Sequence, residues 1–263
     1  MSFTLSEKKF GLFGVTTTWF NTEKKLTSKA KGLLHILRQS VQIEDFDPFV
    51  CIFKNIFTTT CIDLTQTEEQ LWKALSPKSC RYEVRKVKKL VDAGQDIELR
   101  DVTDRGEFLR IANRYIEERE GMRPLKFCHI EKYLKDDRGE LIGIYYEGKL
   151  IGGNLYIKDP PWRVRLLHSF NDRFGDPALQ DLTAPLMRYL HWEAMVKRYK
   201  PQGFRAYDMG GVWLDTESHL SGITKFKMSF GGSIVEQYDY VLVPNRWVMR
   251  AYRSYEKIKR RMR

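Results

Sequence analysis

Tyr207-Asp208-Met209-Gly210-Gly211, Gly222-Ile223-Thr224-Lys225-Phe226-Lys227 and Phe230-Gly231-Gly232 are the segments on which the reading of this chain turns. They read as a strand ending in a glycine turn, a short basic helix, and a second glycine turn into another strand. Paired glycines at strand ends let a ligand approach the backbone with no Cβ in the way. Asp208, Lys225 and Lys227 flank them, which sets acidic and cationic groups at the rim of a sheet. Open α/β sheets bind ligands at that place.

Working outward, residues 97–102, 141–146, 150–157, 163–170, 204–209 and 233–243 alternate or run apolar as strands. Residues 103–119, 129–135, 182–199 and 219–230 carry helical spacing. The order β-α-α-β-β-β-α-β-α-β predicts an α/β domain with one mixed sheet covered by helices. Before it, Thr65 or Thr67 caps a helix with Leu71, Trp72 and Leu75 on one face. A second helix over 78–91 carries Lys78, Arg81, Arg85, Lys86, Lys88 and Lys89 and stops at Gly94. Nearer the start, residues 10–19, 49–53 and 58–64 read as strands. Ala30, Leu33, Leu34 and Leu37 predict a helix over 28–39. The expected division is an N-terminal portion 1–94, an α/β core 95–243, and a basic amphipathic helix 244–263.

The chain has 263 residues, 42% of them hydrophobic, and a formal net charge of +11. That is enough apolar material for a core, and the charge points to an anionic partner. Cys51, Cys61, Cys80 and Cys128 are far apart with no Cys-x-x-Cys pair, which excludes a zinc site built on such pairs and predicts reduced thiols. No stretch is apolar enough to span a bilayer. The expectation is a cytoplasmic protein, with contact at an anionic membrane surface as an alternative through the tail helix.

Several residues are candidates for chemistry. Gly152-Gly153-Asn154 could leave room beside a strand for a ligand chain, or mark a bulge or tight sheet contact. His168, at the end of its strand, could accept a proton from an amine. Arg165, three residues earlier, is expected on the opposite face. Arg173, in the turn before the helix at Leu182, could meet phosphate at a helix N-terminus. Asp208 and Lys227 could act together, Lys227 stabilising developing negative charge, or form a structural ion pair. Tyr207, Gly210, Gly211 and Lys225 complete the expected binding set.

The three segments quoted first resemble the C-terminal pattern of the Fem-type peptidoglycan-bridge aminoacyltransferases and their BioF2-like acyltransferase relatives. Residues 66–76 and 81–86, with Leu190-His191-Trp192-Glu193-Ala194-Met195, are similar to other parts of the same family. The resemblance spans about residues 63–243. It implies a GNAT-type fold that moves an acyl or aminoacyl group onto an amine, with Lys227 as transition-state helper and Asp208 or His168 receiving the proton. It further implies acyl-CoA as donor, with aminoacyl-tRNA as the alternative and no metal. The acceptor would be an amino sugar or amino acid in a cell-wall or surface-polysaccharide precursor. Met209 stands where the family has an aromatic residue, and no Gln/Arg-x-x-Gly-x-Gly/Ala loop precedes Leu182. A non-catalytic RNA- or membrane-binding protein is the reading from a different class.

Overall fold

The computed structural model describes residues 3–9, 13–24, 34–47, 49–118, 124–134, 137–215, 221–244 and 250. The chain forms two compact units, residues 1–59 with 235–263, and residues 60–234. The sequence places boundaries near 94 and 243 instead. The helices before Gly94 belong to the second unit because their apolar faces enter its core. The expected tail helix lies outside the described residues apart from Arg250.

The first unit is a small mixed sheet. Strand β1 (Phe3–Lys9) pairs antiparallel with β2 (Phe13–Trp19), and β2 pairs parallel with β3 (Leu34–Ser40). On its other side β3 meets β10 (Ser233–Val243) in antiparallel register. The helix expected over 28–39 is corrected here, since its described part is strand. Leu34 and Leu37 fit a helical face in isolation. Pairing to a neighbour on either side supplies backbone hydrogen bonds that outweigh so short a helical signal. The two strands expected at 49–53 and 58–64 are one, β4 (Val50–Asp63). Leu37, Ile43, Phe49, Tyr240 and Leu242 form the small core. Asp239 joins β3 to β10, pairing with Arg38 and accepting the Gln39 N–H at 2.9 Å.

The second unit carries the predicted order. Helix α1 (Glu68–Ala74) opens on a reciprocal cap in which Thr67 accepts from the Gln70 N–H and Gln70 accepts from the Thr67 N–H. Helix α2 (Cys80–Asp92) buries Cys80, Val84 and Val87 and turns its cations outward. Then come β5 (Ile97–Asp101), α3 (Arg105–Glu117, capped by Asp104), α4 (Phe127–Leu134), and the strands β6 (Gly139–Tyr146), β7 (Lys149–Asp159) and β8 (Arg163–Asn171). Helix α5 (Gln180–Glu193) continues as a π-helical turn, Ala194–Tyr199, into β9 (Ala206–Val212) and α6 (Ser221–Met228).

Strand order in this unit is β9-β8-β7-β6-β5, with the end of β4 beside β9. Strands β5 to β8 are antiparallel neighbours, whereas β8 and β9 are parallel. One sheet face packs on α5 and α2 through Leu186, Leu190, Trp192, Val84 and Val87, all buried. Each such side chain contributes about 1.5–3 kcal/mol by leaving water. The other face receives α3, whose Phe108 and Ile111 are buried.

Register fixes which residues share a face. Leu155 pairs with His168, but Tyr156 pairs with Leu166, so Leu167 is one residue too many on β8. The period-two rule would set Arg165 and His168 on opposite faces. The shift at Leu167 reverses the parity, and both lie on the α3 face, a correction to the sequence expectation.

Candidate active site

Strands β8 and β9 pair only at their starts: Arg163 with Ala206, Val164 with Tyr207 and Arg165 with Asp208. Beyond that ladder β8 runs on to Asn171 and β9 to Val212. Asp208, Gly210, Gly211 and Arg165 lie where this ladder ends.

On the α3 face, Arg165 Nη1 donates to Asp208 Oδ2 at 3.0 Å, and Asp208 is wholly buried. The second Asp208 oxygen accepts the Gly210 N–H at 2.8 Å. Gly210 has φ of +79°, a left-handed conformation that glycine adopts without strain. A Cβ there would stand 3.6 Å from Lys227 Nζ, 3.8 Å from Arg165 Nη2 and 3.1 Å from the Leu166 carbonyl oxygen. From α6, Lys227 donates to the Gly211 carbonyl at 2.7 Å. Burial lowers the Lys227 pKa to about 8; the Arg165 cation pushes the same way and Asp208 opposes it.

Next to this cluster stands Trp213, 45% exposed, with its ring centroid 6.0 Å from Lys227 Nζ. The Thr224 hydroxyl accepts from the Trp213 N–H at 2.9 Å and donates to the Trp213 carbonyl at 3.0 Å, tying the end of β9 to α6. His168 lies on the same sheet face, half-buried, with its ring stacked on Phe170 at 5.8 Å.

The opposite face is polar but neutral. Tyr207 is wholly buried, with its hydroxyl 2.6 Å from His191 Nδ1 and 2.7 Å from the Tyr156 hydroxyl. Asn154 donates to Tyr156 at 2.8 Å and lies 3.4 Å from His191 Nε2. Burial, followed by the Lys227 and Arg188 cations, lowers the His191 pKa to about 3, so its imidazole is neutral at physiological pH. Burial likewise raises the pKa of Tyr156 and of Tyr207.

The structure thus brings Asp208, Gly210, Gly211 and Lys227 together. It places the other expected residues differently. Asn154 and Tyr207 have no accessible surface and belong to the hydrogen-bonded layer behind the sheet, so they hold β7 and β9 instead of touching a ligand. The room expected at Gly152 and Gly153 is filled by the protein. A Cβ on Gly152 would meet Met187 Sδ and the Phe170 carbonyl, and one on Gly153 would meet the Phe108 ring at 2.9 Å. These glycines let α5 and α3 approach the strands. Lys225 is exposed on α6, and Arg173 is exposed with its guanidinium 5.3 Å from the Phe174 ring.

The turn that holds Arg173 keeps its own carboxylates. Asp172 pairs with Arg114 at 2.7 Å, and Asp176 accepts the Ala178 N–H at 3.0 Å. The sequence reading set Arg165 on the wrong face and passed over Trp213. Arg165 was hidden by the register shift. Trp213 had only one signal, an aromatic residue two positions after a glycine pair. No metal-holding group of His, Cys, Asp or Glu occurs among the described residues, and no described helix is long and apolar enough to cross a membrane.

Neither a family model nor a curated protein matches the sequence. Solved structures do resemble the chain. The crystal structure of FemX is similar with a TM-score of 0.55 at 14% identity, over 70% of this chain and 61% of that one. The chain therefore spans less than two thirds of FemX. A C-terminal domain of a putative lysylphosphatidylglycerol synthetase from Agrobacterium fabrum gives a TM-score of 0.49 at 11% identity, over 93% of this chain and 81% of that one. The structure of L-PGS from Bacillus licheniformis gives 0.45 at 13% identity, over 82% and 69%.

Proposed function

We propose that this chain, which has the Fem-type, GNAT-like acyltransferase fold, transfers an acyl group from an activated ester or thioester to an amine. The observation that carries this reading is the convergence of Lys227 and Arg165 on Gly210, where the parallel pairing of β8 and β9 ends. Gly210 has no side chain of its own, and Lys227 Nζ and Arg165 Nη2 come to 3.6 and 3.8 Å from where its Cβ would stand. As the amine attacks, negative charge develops on the carbonyl oxygen, and a cation held in place at low dielectric stabilises it. Lys227 is fixed by the Gly211 carbonyl, so it need not reorganise during the reaction.

Asp208 is not the proton acceptor in this reading. Both its oxygens are engaged, by Arg165 and by the Gly210 N–H, and it has no access to solvent. It positions Arg165 and the β9 turn. His168, half-buried on the same face, receives the amine proton in this reading.

The expected donor is acyl-CoA and the expected acceptor an amino sugar or amino acid of a cell-wall or surface-polysaccharide precursor. One observation favours aminoacyl-tRNA as donor instead. The N–H of Ala178, at the turn leading into α5, is taken by Asp176, and Asp181 lies in the first turn of α5. Acidic groups there oppose a pyrophosphate. The exposed cations of α2 suit a polyanion.

Calorimetric titration with acetyl-CoA, and separately with charged and uncharged tRNA at two salt concentrations, tests the donor. Saturable, weakly salt-dependent acetyl-CoA binding supports acyl-CoA. Binding to charged tRNA with a steep salt dependence supports the second reading. Binding to neither, combined with no acyl transfer to amino-sugar or amino-acid acceptors, overturns both and leaves a binding protein.

A further inference from the structure

Helix α2 has two sides of different kinds. Cys80, Val84 and Val87 are buried in the core of the second unit. Tyr82, Arg85, Lys86 and Lys89 are exposed, Tyr82 by 63%. Their spacing of i, i+3, i+4 and i+7 puts them on one face of the helix. Lys78 is exposed in the turn that leads into it. Of the two acids on α2, Glu83 is turned to α5 and accepts from Arg188 at 2.5 Å, and Asp92 follows Lys89 in the last turn. Among the described residues Lys78, Lys86 and Lys89 pair with no carboxylate. On neighbouring α1, by contrast, Lys73 pairs with Glu69 at 2.7 Å and Glu68 with Lys197 at 3.7 Å. Arg85 and Lys88 lie against the Trp72 ring, at 5.5 and 5.1 Å from its centroid. Like charges three or four residues apart repel along a helix. Arg85 and Lys89, and Lys86 and Lys89, stand at such spacing with no acid between them on that side, and an anionic surface would relieve the repulsion.

We propose that this side of α2 rests on the surface of an anionic phospholipid bilayer, its cations among the headgroup phosphates and the Tyr82 ring at headgroup level. A tyrosine ring with a polar tip suits that depth, and Tyr82 lies one turn before Lys86. The apolar side of α2 is committed to the protein core, so the helix lies against the bilayer by charge and does not insert. A plane of phosphates needs no matching groove. The row offers one exposed aromatic ring, whereas surfaces that grip unpaired bases use several. Lipid is therefore favoured over RNA, and the proposal does not rest on the acyl-transfer reading.

Flotation of the full chain with vesicles tests it. Vesicles of phosphatidylglycerol and phosphatidylcholine in equal parts are compared with phosphatidylcholine alone, at two salt concentrations. The chain should float with the mixed vesicles only, and the higher salt should release it. One lysine near such a surface is worth about fivefold in affinity, so the triple variant Lys78→Gln, Lys86→Gln and Lys89→Gln should bind about 10²-fold more weakly. Its melting temperature should hold, because all three side chains are exposed. Tyr82→Ser should weaken binding without changing its salt dependence.

The basic tail is the control within the chain. Glutamine at Lys257, Lys259, Arg260 and Arg261 should leave the effect of the α2 variant in place. Equal flotation with both kinds of vesicle overturns the proposal, as does a triple variant that floats like the natural chain. Transfer RNA is the competing polyanion. If vesicles go unbound and the triple variant loses tRNA binding, the face belongs to RNA and the lipid site falls. Vesicle binding by a chain that transfers no acyl group would sink the proposed function and leave the membrane contact standing.

Discussion

Tyr207 and Asp208 are neighbours on β9, and they serve two different buried polar clusters. Behind the sheet, Tyr207 joins Tyr156, Asn154 and His191 in a layer with no solvent access and no net charge. In front, Asp208 joins Arg165 and Lys227 in a layer that carries charge and borders the end of the strands. Both sets are hydrogen-bonded, yet they answer to different demands. A neutral buried network costs little once each group has a partner, and it fixes the strands it joins. A charged one costs more to bury, and it stands at a strand end beside a left-handed glycine, the place the proposed reaction uses. Strand alternation separates the two sets by one residue.

The widest gap between the clusters should appear on removing Asp208. Asp208→Ala leaves the Arg165 guanidinium buried without its carboxylate, and unfolding in urea should show a loss of about 3–5 kcal/mol. A loss under 1 kcal/mol would mean that solvent reaches Arg165 and that the front cluster is not truly buried.

Lys227→Ala should lower kcat about 10²–10³-fold, the range for deleting one fixed charge stabiliser, while the melting temperature at pH 7 holds or rises. The sign follows from its pKa of about 8 in the fold against 10.5 unfolded. Between those values the unfolded chain holds the proton longer, so stability rises with pH, and below about 8 the buried cation is a cost that alanine removes. Activity that depends on the ammonium should fall as pH rises through about 8. A melting temperature that drops sharply in the alanine variant would make Lys227 a structural residue.

On the rear face, Tyr207→Phe strands the His191 ring nitrogen and should cost about 1–3 kcal/mol. His191 has a pKa of about 3 folded against 6.5 unfolded. The unfolded state therefore binds the extra proton between those values, and stability falls as pH drops from 6.5 toward 3. That acid slope should be shallower by about one proton in His191→Gln. An unchanged slope would show that the rear layer is not sealed. The smallest effect is expected from Thr224→Val, which cuts the tie to Trp213 and should cost about 1 kcal/mol or less; a raised KM in this variant would bring Trp213 into the substrate site.

The element order from Gln95 onward was legible because its strands and helices have clean periods and turn residues between them. Asp208 and Lys227 were legible as neighbours of the glycine pair, but not that the carboxylate pairs with Arg165 and the ammonium with the Gly211 carbonyl. Gly152 and Gly153 carried the same local signal and a different meaning, since Met187 on α5 and Phe108 on α3 fill the space in front of them. Nothing within several residues of a glycine tells which helix will cover it. Asn154 and Tyr207 look like ligand groups in sequence and are internal supports, because their partner His191 arrives from a distant helix. Over 28–39 the leucine spacing suits a helix, and its described part gained two strand neighbours from far along the chain instead.

The extra residue at Leu167 has a consequence best put in terms of phase. Along β8, residues up to Leu166 keep one inside-outside rhythm and residues from His168 keep its inverse, much as an inserted letter changes the frame of everything after it. Deleting Leu167 would leave Arg165 and His168 two positions apart on a regular strand and still on one face, whereas inserting a second residue beside Leu167 would send them to opposite sides of the sheet. Single-codon changes here are therefore unequal: losing the extra residue keeps the half-buried histidine on the face of Arg165 and Asp208, and gaining another parts it from them.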